Sequence, residues 1–218
     1  MAGLSTTGAR LVQVAAGQFW FRADFSAVEK RIFDTTLDAL DGAEDYGGEV
    51  KQRMDHLIFL LIRFVSDRID GQSKRFGYLA RITKADETPL EDELQEDLYD
   101  YLNSILVCDL ERTDISSGRT DIYIPCDGFR LIIELKRLVV AWTDAAIAPL
   151  LRQTTAYHQT DIRLGVLGIL DLSDRPAGVP HLDQCIYVQK REVAGEPDRT
   201  AVVMRVPGNA RTPSDSKA

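Results

Sequence analysis

The sequence predicts an α/β fold in which a helix, three strands, a second helix and a fourth strand follow one another after a mainly helical extension. Three observations predict it: helical spacing of apolar residues before residue 88, short runs rich in Ile, Leu and Val after residue 105, and renewed helical spacing after residue 143. The predicted boundaries are 1–87 for the extension, 88–206 for the α/β core and 207–218 for a disordered tail.

The composition is that of an ordinary globular protein. Of the 218 residues, 44% are hydrophobic and 28% are charged, which is enough to bury a core. The longest apolar run, residues 57–65, is broken by Arg63 and is far shorter than the ~20 residues that span a bilayer. No export signal is predicted at the N-terminus, and the widely spaced cysteines argue against a disulfide framework or a structural zinc site. We therefore expect a cytoplasmic protein; the cysteines are Cys108, Cys126 and Cys185.

The net charge of −8 limits how the protein can bind nucleic acid. Contacts to phosphate need Lys and Arg, so overall electrostatics do not favour such a partner. A nucleic-acid partner must therefore use a local basic strip.

The helices are predicted from apolar stripes. Residues 26–41 and 50–69 show helical spacing and are separated by a Gly-rich linker, whereas residues 1–25 show no clear period. A third helix is predicted to open at Thr88 and Pro89, with Thr88 as its cap and Pro89 in its first turn. Its apolar stripe consists of Leu90, Leu94, Leu98, Tyr101, Leu102 and Ile105.

The strands are predicted from short runs rich in β-branched and other apolar residues. Three consecutive strands lie before the helix predicted over 143–160, one follows that helix, and two late strands complete the set. In chain order the predicted strands are 106–111, 120–125, 129–139, 164–170, 185–189 and 201–206.

The pair Asp127-Gly128 predicts a tight hairpin between the second and third strands. Asp-Gly favours a two-residue loop in which both central residues have positive φ. With this loop the register is fixed, and Asp121 falls directly opposite Glu134. Their Cβ atoms are then about 4.5–5.5 Å apart on one face of the sheet.

Two converging carboxylates need something that offsets their repulsion. A divalent cation or a raised pKa would do so, and an oxygen-preferring ion such as Mg²⁺ is the simplest candidate. Strand alternation places Lys136 on the same face as Glu134. Its ammonium can hold or help to deprotonate an attacking water and stabilise negative charge, while a metal ion polarises a phosphoryl oxygen. The alternative is an exposed Glu-x-Lys pair on a strand edge.

These residues resemble the PD-(D/E)XK nuclease superfamily, which has the restriction-endonuclease-like fold. The resemblance covers roughly residues 88–171 and rests on an acidic residue, Asp121, on one strand and Glu134-x-Lys136 on the next; Thr120 stands where the family name has proline. It implies an αβββαβ core with a mixed central sheet flanked by helices. It also implies a Mg²⁺ cofactor, replaceable by Mn²⁺, with Asp121 and Glu134 as metal ligands and Lys136 as the catalytic ammonium.

The resemblance implies further site residues on the two core helices. Gln153 and Tyr157 match a Gln and Tyr pair that many members carry on the second core helix, where Gln153 can touch phosphate or water. Glu91 matches a Glu of the first core helix that adds a metal ligand. An equally weighted alternative for Glu91 is a capping box with Thr88. Phosphate contacts are expected from Arg119, Arg137 and Arg152, with the alternative that these residues only solvate the surface.

The resulting hypothesis is a Mg²⁺-dependent endonuclease, with DNA favoured over RNA as the substrate. The resemblance suggests roles in restriction, phage defence or repair. The helices before residue 88 are expected to recognise a partner or to build a homodimer or larger complex. Two rivals remain open: a non-catalytic module that binds nucleic acid or protein, and a general α/β interaction protein whose two carboxylates lie more than about 8 Å apart, too far to share a cation.

Overall fold

The computed structural model describes residues 25–110, 121–156, 162–176, 178–193 and 195–210. Four α-helices and six strands lie within these ranges. The helices are α1 (Ala27–Leu40), α2 (Gly48–Arg75), α3 (Glu91–Asn103) and α4 (Asp144–Ala156). The strands are β1 (Asp109–Leu110), β2 (Asp121–Cys126), β3 (Phe129–Leu138), β4 (Leu164–Asp171), β5 (Ile186–Val193) and β6 (Glu196–Pro207). Short 3₁₀ helices occupy Gly77–Leu79, Ala85–Glu87 and Leu182–Gln184.

The six strands form one mixed sheet in the order β1-β2-β3-β4-β6-β5. The β3–β4 and β4–β6 pairs are parallel, and the other pairs are antiparallel. Between β3 and β4 the chain crosses one face of the sheet through α4, as a directly connected parallel pair requires, whereas between β4 and β6 strand β5 returns the chain within the sheet. The structure confirms the predicted α/β class with a mixed sheet flanked by helices.

Helices cover both faces of the sheet. On one face, α1, α2 and α3 share a hydrophobic cluster with side chains that alternate along the strands, among them Ile133 and Leu135 of β3. On the other face, α4 packs through Ile147 and Leu151 against a second cluster that includes Leu138 of β3. Glu134 and Lys136 alternate with Leu135 and therefore lie on the α4 face.

Two predicted boundaries of the core are wrong. Helix α3 begins at Glu91, with Leu90 at its N-cap, and not at Thr88 and Pro89. The backbone N–H of Leu90 donates to the carboxylate of Glu93 at 3.3 Å, so a residue one turn further along stabilises the start of the helix. Residues 207–210 were predicted to belong to a disordered tail. Instead Pro207 ends β6, and the N–H of Ala210 donates to the carbonyl of Leu79 at 3.1 Å.

Helices α1 and α2 pack against the sheet of the same chain. Ser26 caps α1, since its side chain accepts from Glu29 N–H at 3.2 Å while the Glu29 carboxylate accepts from Ser26 N–H at 2.8 Å. The apolar stripes of α1 and α2, represented by Phe33 and Leu57, are buried in the cluster beneath the sheet. The apolar character that suggested a partner for these helices is therefore explained by packing within the chain.

Within the described ranges, no helix combines the length and the apolar character needed to cross a membrane.

Candidate active site

The hairpin of β2 and β3 has the predicted register. Asp121 pairs with Glu134, and the pairing continues residue by residue to Cys126 opposite Phe129. The turn type differs from the expectation, because only Gly128 has positive φ, at 84°, and Asp127 does not. A positive φ at the second central position alone is the pattern of a type II turn, which Gly accommodates without steric cost.

Glu134 and Lys136 form a buried ion pair on the α4 face of β3. Glu134 is 2% exposed and Lys136 is 9% exposed. Lys136 Nζ lies 2.6 Å from Glu134 Oε1 and donates a second hydrogen bond to the carbonyl of Leu135 at 3.1 Å. The alternative of an exposed pair on a strand edge is therefore wrong, because both groups have left water and depend on partners inside the protein.

The second carboxylate oxygen of Glu134 differs from the first, which pairs with Lys136. Oε2 is buried and has no hydrogen-bond partner among the described residues. A buried carboxylate oxygen without a donor costs roughly 1–3 kcal/mol or more, so such atoms are few in folded proteins and call for an explanation. A hard cation is a ligand of the right charge for this oxygen.

The structure describes Asp121, the predicted second carboxylate, only through its backbone. Its backbone pairs with Glu134, while its side chain lies outside the described part of the structure. Among the side chains that are described, no group of three or more His, Cys, Asp or Glu residues is gathered in a metal-binding arrangement. Among the described side chains, the metal donor at this site is therefore the Glu134 carboxylate, with the Lys136 ammonium beside it.

Glu91 contacts the strand that carries this pair. Its Oε1 accepts a hydrogen bond from the backbone N–H of Arg137 at 3.1 Å, and the guanidinium of Arg137 donates to the carbonyl of Pro89 at 3.1 Å. The predicted capping box of Thr88 and Glu91 is wrong, because Glu91 is the first residue of α3 and Thr88 lies outside the helix.

Of the two site residues predicted on the second core helix, Gln153 and Tyr157, only Gln153 lies within the described residues. Gln153 is exposed, whereas its neighbour Thr154 is buried at 1% exposure and donates to the carbonyl of Leu150 at 3.0 Å. Tyr157 lies outside the described residues, so the predicted Gln153 and Tyr157 pair stays a prediction.

The three predicted phosphate contacts are also only partly visible. Arg137 and Arg152 are exposed, and Arg119 lies outside the described residues. The guanidinium of Arg137 contacts Pro89, which directs it toward the start of α3.

The structure contains a second buried charge cluster that the sequence did not reveal. Asp171, at the end of β4, is fully buried. Its Oδ1 accepts from Ser173 N–H at 3.0 Å, and its Oδ2 lies 3.1 Å from Arg175 Nη1 and 2.7 Å from Arg205 Nε. Arg205 also stacks over the ring of Trp142 at 4.2 Å. The signal was a charged residue that ends an apolar strand, but one of its main partners, Arg205, lies 34 residues away in the sequence.

His56 of α2 is a buried residue on the opposite side of the sheet, at 4% exposure. It lines a cavity of about 230 Å³ together with Arg53, Cys126 and Leu131. Burial, with a smaller contribution from the neighbouring Arg53 charge, lowers the pKa of His56 to about 4. The imidazole is therefore neutral at pH 7.

In comparisons with known proteins, no protein-family model, curated protein or solved structure matches this chain.

Proposed function

We propose that this protein is a metal-dependent nuclease that hydrolyses phosphodiester bonds, with DNA as the favoured substrate. The observation that carries the proposal is the buried, unpartnered Oε2 of Glu134, which lies beside the Lys136 ammonium and on a residue paired with Asp121. The order of elements around it, a helix, three strands, a helix and a strand, supports the same assignment.

The donor chemistry fits a hard divalent cation. Glu134 has one oxygen engaged by Lys136 and a second oxygen available, and the register brings the Asp121 backbone directly opposite. Glu134 and Asp121 would hold Mg²⁺, which binds protein carboxylates through one or two residues and keeps several waters. When bound, the ion supplies Lewis-acid activation of the phosphoryl oxygen and a more acidic water.

Lys136 contributes a positive charge that the fold holds in place. Its Nζ is fixed by two acceptors, Glu134 Oε1 and the Leu135 carbonyl, so little reorganisation is needed to present it. From this position the ammonium donates to the attacking water or to a phosphoryl oxygen as negative charge develops. Preorganised donors of this kind contribute about 10²–10³-fold to a rate, because they act in a site shielded from water.

Because the protein is acidic as a whole, a nucleic acid would bind through a few local cationic side chains. Helix α3 carries six acidic residues, and the whole chain has a net charge of −8. Arg137 on β3 and Arg152 on α4 are exposed cations. We infer that phosphate binding depends on these local side chains and weakens as the salt concentration rises.

Cleavage assays on four substrates test the proposal. Plasmid, linear duplex, single-stranded DNA and RNA are incubated with Mg²⁺, Mn²⁺ or EDTA and with wild type, Glu134→Ala or Lys136→Ala. We expect metal-dependent cutting of DNA that falls by at least about 10²-fold in both variants. Exposed residues of the same types on β5 provide matched controls, Glu192→Ala and Lys190→Ala, which should stay within about threefold of wild type.

Each outcome decides between the proposal and its rival. Cutting that persists in Glu134→Ala would contradict the site assignment. The absence of cutting in every condition would contradict the nuclease proposal and favour a non-catalytic module, for which binding of the same nucleic acids is then measured.

A further inference from the structure

The contact between Glu91 and Arg137 joins the start of α3 to the end of the strand that carries Glu134 and Lys136. The Glu91 carboxylate accepts from the Arg137 N–H at 3.1 Å, and Arg137 Nη1 returns a bond of 3.1 Å to the Pro89 carbonyl. The two bonds connect residues that are 46 and 48 positions apart in the sequence. The peptide unit fixed by Glu91 is the one that directly follows Lys136.

The Glu91 carboxylate accepts from an N–H of β3 that would otherwise pair with a neighbouring strand. The carbonyl of Leu138 accepts from Leu172 N–H on the β4 side, so strand alternation directs the N–H of Arg137 to the opposite side, where β2 lies. The described pairing of β2 with β3 ends at Asp121 and Glu134, three residues before Arg137. Glu91 thus supplies an acceptor to β3 beyond the last described β2 pair.

Helix α3 reaches β3 from the layer opposite to the charged pair. Its buried residues Leu94, Leu98 and Leu102 belong to the cluster that includes Leu135, whereas Lys136 alternates to the α4 face. The Glu91 carboxylate therefore approaches β3 from the face opposite to Lys136 and bonds to the backbone of the strand.

We propose that Glu91 is a positioning residue, which fixes the orientation of Lys136 through the Arg137 amide and does not ligate the metal ion. Its catalytic consequence rests on the proposed nuclease function, whereas its effect on the backbone does not. A glutamine keeps an oxygen that can accept the amide hydrogen bond but is a poor ligand for a hard cation. Glu91→Gln therefore separates the two roles, and Glu91→Ala removes both.

Amide hydrogen exchange at Arg137, measured by NMR, tests the backbone role. We expect exchange at least about tenfold faster in Glu91→Ala, and within about threefold of wild type in Glu91→Gln. Glu96→Ala, which removes an exposed carboxylate from the same helix, should match wild type. The amide of Ile133 on β3 reports any general loss of stability. Unchanged exchange at Arg137 in Glu91→Ala would overturn the proposal.

Calorimetric titration with Mn²⁺ tests the second part of the proposal. Glu91→Gln should bind Mn²⁺ within about threefold of wild type and should recover the cleavage rate that Glu91→Ala loses, whereas Glu134→Ala should lose binding. Loss of Mn²⁺ binding in Glu91→Gln as large as that in Glu134→Ala would make Glu91 a ligand and overturn the proposal. If wild type binds no Mn²⁺, the proposed function fails, and hydrogen exchange still decides the role of Glu91.

Discussion

Two buried charge clusters lie on the α4 face of the sheet and differ in how completely their carboxylate oxygens are paired. Asp171 has donors on both oxygens, from Ser173, Arg175 and Arg205. Glu134 has a partner on Oε1 only, and its Oε2 has none among the described residues. Both carboxylates are at most 2% exposed, so burial alone does not separate them.

The carboxylate oxygens, and not burial of charge as such, separate the two clusters. At Asp171, Arg175 also donates to the carbonyls of Asp171 at 2.7 Å and Gly208 at 2.6 Å, so the cluster ties the end of β4 to the end of β6. All of these hydrogen bonds join groups of the protein to one another. At Glu134 the buried atom without a partner among the described residues is a carboxylate oxygen, which can accept a cation, whereas in the Asp171 cluster it is the Nε of Arg175, a donor that cannot.

The largest expected effect follows from breaking the Asp171 cluster. Asp171→Ala leaves the guanidinium groups of Arg175 and Arg205, whose side chains are 11% and 12% exposed, without their shared carboxylate, so the free energy of unfolding should fall by about 3–5 kcal/mol. Chemical denaturation of the variant and wild type measures this difference. A loss under about 1 kcal/mol would show that the Asp171 cluster is not the structural element that its bonds suggest.

The second largest expected effect is the change of stability with pH that His56 causes. Its pKa is about 4 in the folded protein, below the ordinary histidine value of 6.5. Its lowered pKa means that the stability it contributes is fully present above pH 6.5 and is lost as the pH falls from 6.5 toward 4. The loss amounts to about 3 kcal/mol at the lower end.

His56→Gln removes this titration and should flatten the stability curve between pH 6.5 and 4. Unfolding by urea at a series of pH values measures the curve for both proteins. If the acid-induced loss is the same in His56→Gln, the carboxylate clusters or other groups cause it.

The smallest effect, with the opposite sign, follows from replacing the incomplete pair as a whole. In Glu134→Leu/Lys136→Met both charges are removed together, so no buried charge is left alone. We expect the free energy of unfolding to rise by about 1–2 kcal/mol, since buried ion pairs often cost more in desolvation than they return. Denaturation under the same conditions as for Asp171→Ala compares the clusters directly. A loss of several kcal/mol would mean that the pair is structural.

Local sequence signals predicted the part of the site that depends on local geometry. The Asp127-Gly128 turn fixed the hairpin, and through it the pairing of Asp121 with Glu134, because a two-residue loop leaves one register. Strand alternation then placed Lys136 on the face of Glu134. The turn type was wrong, because Asp-Gly also fits a turn in which only the glycine has positive φ.

The rest depends on contacts between distant segments, which a single sequence does not display. Asp171 pairs with Arg205, 34 residues away, and Glu91 reaches Arg137, 46 residues away. The Thr88 and Glu91 spacing matched a capping box, yet the helix begins at Glu91, and the Glu91 carboxylate accepts from the Arg137 amide instead. Local patterns are weak evidence where a side chain has a distant partner.

A crystal structure grown in Mn²⁺ shows whether Glu134 Oε2 binds a divalent cation, as we propose. We expect an anomalous difference peak within about 2.5 Å of Glu134 Oε2, the range of bonds between hard cations and carboxylate oxygens, and its loss in Glu134→Gln. A well-ordered structure with no peak at Glu134, or with a peak only elsewhere, would show that this oxygen does not bind the ion.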